Sequence, residues 1–508
     1  MAVLVLGDQL NPAYGPVVDA DRVVMIEATS FARRRAYHPH KLTLVFAAMR
    51  QFRDRLRAND TTVDYYDCET FADGFDAHFE TYPGDELTVM RSPTYGTSDR
   101  LRGLVEERGG TLDIVANELF LSTREQWDDY AGDSEPPYRH ENFYRMMRRE
   151  TGYLMADGDP VGGEWNYDDE NQQFPGEGYD SPDPPRYEMD ETTAEVWEWA
   201  STLDGSYDTD PPGPEWADPE PFFWPTTREQ ALDTLDTFVE RRLAEFGPYQ
   251  DAMLDDDWAL NHALLSGAIN VGLLHPAEVI EAVIEGSREQ PDTPLNSVEG
   301  FVRQLLGWRE FMRHTYREGM PELASANQLD ATEELPELFW TGETEMACLS
   351  DVVDGVRTRG YSHHIERLMI LSNFALLYGA EPAQLNEWFH AGYVDAYHWV
   401  TTPNVVEMGS FGAGVFATKP YAASANYVNR MSDYCGDCDY YHTKTTGEGA
   451  CPFNTLYWEF LDRNEERLAD NHRMGLVYSH LEDKDEEELD AIRDRAGDLR
   501  EMAEAMEL

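Results

Sequence analysis

The feature that most constrains this chain is a change of hydrophobic period along it. Up to about residue 130, short apolar runs alternate with helical patterns: Ala2–Leu6, Arg22–Ile26, Thr62–Tyr66, Leu87–Met90 and Thr111–Val115 read as strands. Between them, Lys41 to Arg57 places Leu42, Leu44, Val45, Ala48, Met49, Phe52 and Leu56 at helical spacing, and Ser98–Arg108 reads as another helix. Strands alternating with helices need crossover connections, so this stretch predicts a parallel sheet with helices on its faces. A nucleotide-like ligand of such a sheet sits at the carboxyl ends of the strands, here near Gly7-Asp8-Gln9-Leu10 and Glu27. Gly7-Asp8-Gln9 reads equally as a plain turn after the first strand, since no G-x-G-x-x-G is present. From about Ala231 onward the helical period dominates, which predicts an all-α half. No repeat recurs at a fixed period, which argues against a solenoid or a propeller.

Residues 151–220 differ in kind, with 20 acids, nine prolines and a single basic residue, Arg186. Little periodicity survives there, so the expected organisation is an α/β Rossmann-like domain over 1–130, an acidic linker over 131–224 and an all-α domain over 225–508.

Charge comes next, because 40 Lys+Arg against 98 Asp+Glu leave −58. A disordered acidic chain is excluded by 41% hydrophobic and 12% aromatic residues. The charge therefore coats a folded body, and only Lys41, Lys419, Lys444 and Lys484 among the basic residues are lysines. Such a surface suits very high salt, where a short Debye length screens self-repulsion. No apolar stretch is long enough to span a bilayer, and Met1–Leu6 runs into Gly7-Asp8 as a strand and not as a signal peptide. Five cysteines, sparse and odd in number, argue for a reducing, cytoplasmic setting.

Cys435, Cys438 and Cys451 form C-x2-C-x12-C with Pro452 following, and Cys348 lies upstream. Four thiolates suit a tetrahedral zinc or an iron–sulfur cluster, and spacing does not separate the two. His363 and His364 follow Ser362, a candidate N-cap, ahead of the apolar face Ile365, Leu368, Met369 and Leu376. Paired imidazoles on a first helical turn suit proton transfer. Phe301–Tyr316 is an amphipathic helix whose Arg303, Arg309 and Arg313 could hold an anionic cofactor or simply be solvated. The tryptophans Trp308, Trp340, Trp388, Trp399 and Trp458 are most simply core filling.

Together these pieces resemble the photolyase and cryptochrome flavoproteins. Leu264–Leu274 looks like their flavin-phosphate loop and helix, and Gln304-Leu305-Leu306-Gly307-Trp308-Arg309-Glu310-Phe311 like their W-R-E-F helix. Within that superfamily Phe246–Met253, Gly360–Met369, Thr418–Ser424, Arg430–Cys435 and Val5–Leu10 are similar to the iron–sulfur bacterial branch, the prokaryotic six-four photolyases. The resemblance covers essentially the whole chain. It implies an antenna domain followed by an FAD-binding domain, and a lyase that uses excited, reduced FAD to repair a six-four photoproduct flipped out of UV-damaged DNA. A cryptochrome-type blue-light receptor is the rival, and a zinc-bound nucleic-acid module a third reading.

The resemblance also implies roles. Cys348, Cys435, Cys438 and Cys451 would hold a 4Fe-4S cluster; His363, His364 and Tyr421 would face the lesion. Trp388 and, further out, Trp340 would carry electrons to the flavin, with Phe389 where the family can have tyrosine. Tyr249, Leu265, Ser266, Asn270, Gln304, Trp308, Arg309, Asp395 and Asn404 would contact FAD. Gly7, Asp8, Gln9, Leu10 and Glu27 would touch an antenna chromophore of lumazine type. Asp251 and Asp168 are candidates for a divalent cation, although Thr401-Thr402 stand where some members carry an acid. Arg309, Arg313, Arg367, Lys419 and Arg430 would line the DNA-facing mouth, and a monomer is expected.

Overall fold

The computed structural model describes residues 2–132, 134–176, 178–203 and 216–508. Five parallel strands, β1 (Ala2–Val5), β2 (Arg22–Ala28), β3 (Thr62–Cys68), β4 (Glu86–Met90) and β5 (Thr111–Val115), pair in the order β3-β2-β1-β4-β5. Both faces of the sheet are covered, which is why the strands read as near-continuous apolar runs. Side chains alternate across β1: Ala2 and Leu4 join Phe75, Phe79 and Leu101 on one face, while Val3 and Val5 join Phe46 and Phe52 on the other. Those partners come from α1 (Pro39–Ala58), α2 (Phe71–Thr81) and α3 (Thr97–Glu106). In α1, Leu42, Phe46, Met49, Phe52 and Leu56 form the buried stripe, and Pro39 starts the helix where its missing N–H costs nothing. The sequence reading passes over α2, whose start is set by a Thr70–Asp73 capping box.

Residues 216–508 are helical, with no strand beyond isolated bridges among the described residues. No described helix is long and apolar enough to cross a membrane. The α/β and helical parts share one hydrophobic core, in which Val3, Val5 and Phe46 stand with Val271, Leu274 and Phe301.

The segment 131–224 differs from the surface connection expected. Residues 133, 177 and 204–215 lie outside the described residues, but the rest contains two helices, His140–Thr151 and Glu191–Ser201. Phe143, Tyr144 and Met147 of the first are fully buried, and Trp199 of the second packs edge-on against Phe46 at 5.1 Å. Further on, Trp216, Phe222, Phe223 and Trp224 are buried too. Aromatic side chains anchor the segment in the core while its acids stay at the surface, so average composition misreads it.

Candidate functional site

A cleft in the helical half, with a cavity of about 450 Å³, opens to solvent. Three π-helical stretches line it: Arg303–Arg309, Glu366–Ser372 and Pro403–Gly409. Such stretches are rare and concentrate at functional sites, because the extra residue per turn redirects side chains. They deliver Gln304, Trp308, Arg309, Arg367 and Asn404 to the cleft, and the segment starting Ser266–Val271 delivers Ser266 and Asn270. Gly307 is required here, since a Cβ would lie 2.7 Å from His140 Nε2 of the helix packed behind.

Asp395 organises the inner wall. Arg367 donates to both of its oxygens at 3.0 Å and Ser266 Oγ at 2.6 Å, while Asn270 Nδ2 donates to its backbone carbonyl at 2.9 Å. Burial pushes the Asp395 carboxyl up, but Arg367 and Ser266 outweigh it and hold the group below the usual range. Trp308 Nε1 donates to Asn404 Oδ1 at 3.0 Å, tying two of the π stretches together. Eight of the nine expected flavin contacts, Leu265, Ser266, Asn270, Gln304, Trp308, Arg309, Asp395 and Asn404, line this one cleft. Tyr249 does not; its ring packs on Tyr179 at 5.2 Å, and Gln250 beside it faces the cleft. An apolar slot walled by Phe389, Tyr393 and Trp399 with a few convergent polar groups fits a flavin dinucleotide.

At the mouth stand His364, whose side chain is half exposed, and Tyr421. His363 is fully buried behind them, and His262, which the sequence reading missed, stacks on it at 4.6 Å and 14°. Among the described residues His262 Nε2 and both ring nitrogens of His363 lack a hydrogen-bond partner, but only His262 and His364 line the cleft; His363, expected to face it, lies behind with its Nε2 3.2 Å from Glu366 Oε1. Burial, then the neighbouring imidazoles and Arg242, keep His262 well below its usual range and so neutral. Ser362 is not the helix cap: its hydroxyl bonds the Tyr393 hydroxyl at 2.9 Å, and Glu366 caps the His363 N–H instead.

Trp388 lies behind Phe389 at 5.2 Å and donates to the Phe339 carbonyl at 2.7 Å; Trp340 follows in the chain and meets Trp216 edge-on at 5.4 Å. Cys348, Cys435, Cys438 and Cys451 line one small apolar pocket. Four converging thiols suit either a tetrahedral zinc or an iron–sulfur cluster. Burial and the neighbouring thiols push Cys348 well up, Cys451 to about 12 and Cys435 to about 11, a set that only a bound cation would turn into thiolates.

In the α/β part the expected contacts are largely engaged. Gln9 Nε2 donates to the Met90 carbonyl at 2.9 Å, closing the point where the strand order reverses. Leu10 N donates to Val271 O at 3.0 Å, an approach that needs Gly272, where a Cβ would meet Leu10 N at 2.7 Å. Gly7 and Asp8 remain partly open, and burial lifts the Asp8 carboxyl to about 6. The Glu27 carboxylate is buried and held by Arg50 and by the Tyr65 hydroxyl.

Two expected arginines of the mouth turn inward. Arg309 donates to Glu310 at 3.0 Å and lies over Phe120 and Trp399, and burial lowers it to about 10. Arg313 donates to Ser122 O at 2.6 Å. Helical spacing alone gave no sign that the Ser122 segment covers that face. Arg430 is exposed and Lys419 partly so. Asp168 is paired with Arg303 at 2.5 Å and Asp251 contacts His364 at 3.3 Å, so the two carboxylates have separate partners.

Comparison with known proteins agrees with this geometry. Residues 3–207 match the family described as deoxyribodipyrimidine photo-lyase-related protein. The chain is 38% identical over 488 residues to the (6-4) photolyase of Agrobacterium fabrum (strain C58 / ATCC 33970), covering 94% of each. In fold it is similar to a bacterial class III photolyase from Agrobacterium tumefaciens, with a TM-score of 0.57 at 17% identity over 85% of this chain and 86% of that one. An archaeal photolyase from Sulfolobus tokodaii, solved with two FAD molecules, gives 0.53 at 15% over 86% and 88%. The architecture is thus that of the photolyases. On the strength of the near full-length match, the chain belongs to the family of the (6-4) photolyase, the deoxyribodipyrimidine photolyase-related proteins.

Proposed function

We propose that this protein is a DNA (6-4) photolyase, which repairs pyrimidine–pyrimidone six-four lesions in UV-damaged DNA by light. The observation that carries the reading is a cleft that gathers eight of the nine expected flavin contacts and opens onto His262, His364 and Tyr421, with His363 stacked behind His262. When bound, reduced FAD supplies an electron on excitation. The chain does the rest. Arg367 and Asp395 fix the inner wall, the aromatic walls exclude water, His363 and His364 hold and deliver a proton at the lesion, and the Tyr421 ring flanks it. A lesion that already distorts its duplex costs less to extrude than a normal base, which contributes selectivity.

The same reading assigns a 4Fe-4S cluster to Cys348, Cys435, Cys438 and Cys451, and electron transfer to Trp388 and Trp340. A lumazine-type antenna chromophore belongs near Gly7 and Asp8, the part of that loop still open, with Gln9, Leu10 and Glu27 shaping its floor. Any divalent cation is assigned to Asp251, beside His364. Arg430 and Lys419 are the cations left to meet phosphate on a surface of −58, so binding relies on few contacts and on shape. The functional division is an antenna part over 1–130, a connecting part over 131–224 and a catalytic part over 225–508, working as a cytoplasmic monomer.

The test is to illuminate the reduced protein with blue light on oligonucleotides carrying six-four lesions or cyclobutane dimers. Loss of the six-four lesion is expected. Loss of neither favours the photoreceptor reading, and loss of the dimer alone moves the substrate. Cys435→Ser is expected to remove a broad visible shoulder while flavin bands remain.

A further inference from the structure

His363 is held from behind by a carboxylate. Glu366 is 3% exposed, accepts the His363 backbone N–H on Oε2 at 3.0 Å and places Oε1 3.2 Å from His363 Nε2. The second contact has the length of an ion pair but lacks the alignment of a hydrogen bond, which is common in a catalytic site before its substrate binds. Among the described residues no arginine or lysine forms an ion pair with Glu366; Arg359 acts on it only at longer range, and His363 is the potentially cationic group in direct contact. A buried carboxylate without a cation is costly, so this one stands where it gains most when the His363 ring carries a proton.

Glu366 is itself anchored. The Tyr434 hydroxyl lies 3.4 Å from Glu366 Oε1 and donates to Asp351 Oδ2 at 2.8 Å. Tyr434 directly precedes Cys435, and Asp351 lies one turn beyond Cys348 on the helix Ala347–Arg359. A bridge of three side chains, Glu366, Tyr434 and Asp351, therefore joins His363 to the segments that carry Cys348 and Cys435.

We propose that Glu366 is a positioning residue for repair: its charge orients the His363 ring and steadies it when it bears the proton it delivers, and Tyr434 ties that carboxylate to the cysteine core. The inference rests on the role given above to His363 and His364. It separates two things Glu366 does, since a glutamine can still accept the His363 backbone N–H but carries no charge.

The experiment compares Glu366→Gln, Glu366→Ala and His363→Ala in the full holoenzyme. It measures dark binding of a six-four oligonucleotide, lesions repaired per absorbed photon, and flavin and visible cluster absorbance as a check of folding. The expected result is that Glu366→Gln and Glu366→Ala both lose at least about tenfold in repair per photon, part of the roughly 100-fold or more that positioned proton transfer contributes, while dark binding is unchanged. If Glu366→Gln repairs like the unmodified protein and only Glu366→Ala fails, Glu366 is a backbone cap and the proposal falls. If His363→Ala is inactive while Glu366→Gln is fully active, this proposal alone falls; if His363→Ala repairs at full yield, the histidine assignment falls with it. Should Glu366→Gln fail to retain flavin, Tyr434→Phe, which removes one hydroxyl, carries the test, and an unchanged yield there overturns the proposal.

Discussion

Asp395→Asn tests the inner wall of the cleft with almost no change of shape. Asp395 is 6% exposed, and both of its oxygens accept from Arg367 at 3.0 Å. Arg367 stays in place after the change, because its Nε donates to Ser362 O at 2.8 Å and its guanidinium lies 4.2 Å from the Tyr393 ring centroid. The variant therefore strands a largely buried cation. Removing one partner of a buried pair costs about 3–5 kcal/mol, and since asparagine keeps one acceptor we expect the low end, about 3 kcal/mol. That corresponds to roughly two powers of ten in the unfolding equilibrium of the helical part, read from the denaturant midpoint at unchanged slope. Adding Arg367→Met should recover most of it, a coupling of about 2 kcal/mol in the double-mutant cycle. The carboxyl is lowered in the folded state, so its contribution is complete above the unfolded value near 3.9 and fades as pH falls through the folded one. The gap between Asp395→Asn and the unmodified protein should thus be flat from pH 8 down to about 4 and close only below. A cost under about 1 kcal/mol, or single effects that simply add, refutes the reasoning.

Three further outcomes are expected. With −58 on the surface, the unfolding midpoint should rise steeply between about 0.1 M and 1 M salt, as the Debye length falls from about 10 Å to about 3 Å; a flat response would contradict the reading of the acids as a coat for brine. Lys41 is buried between the halves of the molecule, donates to His390 O and Ala396 O at 2.8 Å each, and is pushed down to about 7 by burial. Between pH 7 and its unfolded value near 10.4 the unfolded chain binds the extra proton, so stability rises with pH by up to about 1.4 kcal/mol per unit; Lys41→Met should remove that slope in a pH series of melts. Trp388→Phe should abolish blue-light reduction of the flavin by an external thiol, followed by absorbance, and its persistence would send the electron path elsewhere.

Local pattern carried what is set within a few residues of chain. The strands β1 to β5 and helix α1 were legible because continuous apolar runs and a 3.6-residue stripe are how a two-sided parallel sheet and its covering helix must be written. C-x2-C-x12-C and the adjacent His363 and His364 were legible for the same reason, since their chemistry lies in residue type and spacing. Tertiary structure decided what depends on partners far away in sequence. It buried Phe143, Tyr144 and Met147 of a stretch whose acids suggested a linker, turned Arg309 and Arg313 onto Phe120 and Ser122, and committed Glu27 to Arg50. It stacked His262, about a hundred residues upstream, on His363, and set Glu366 between that ring and Tyr434. Sequence alone therefore determined the two halves and the list of reactive groups. Which of those groups face one another was decided by long-range packing, whose energy belongs to pairs of segments and to neither segment by itself.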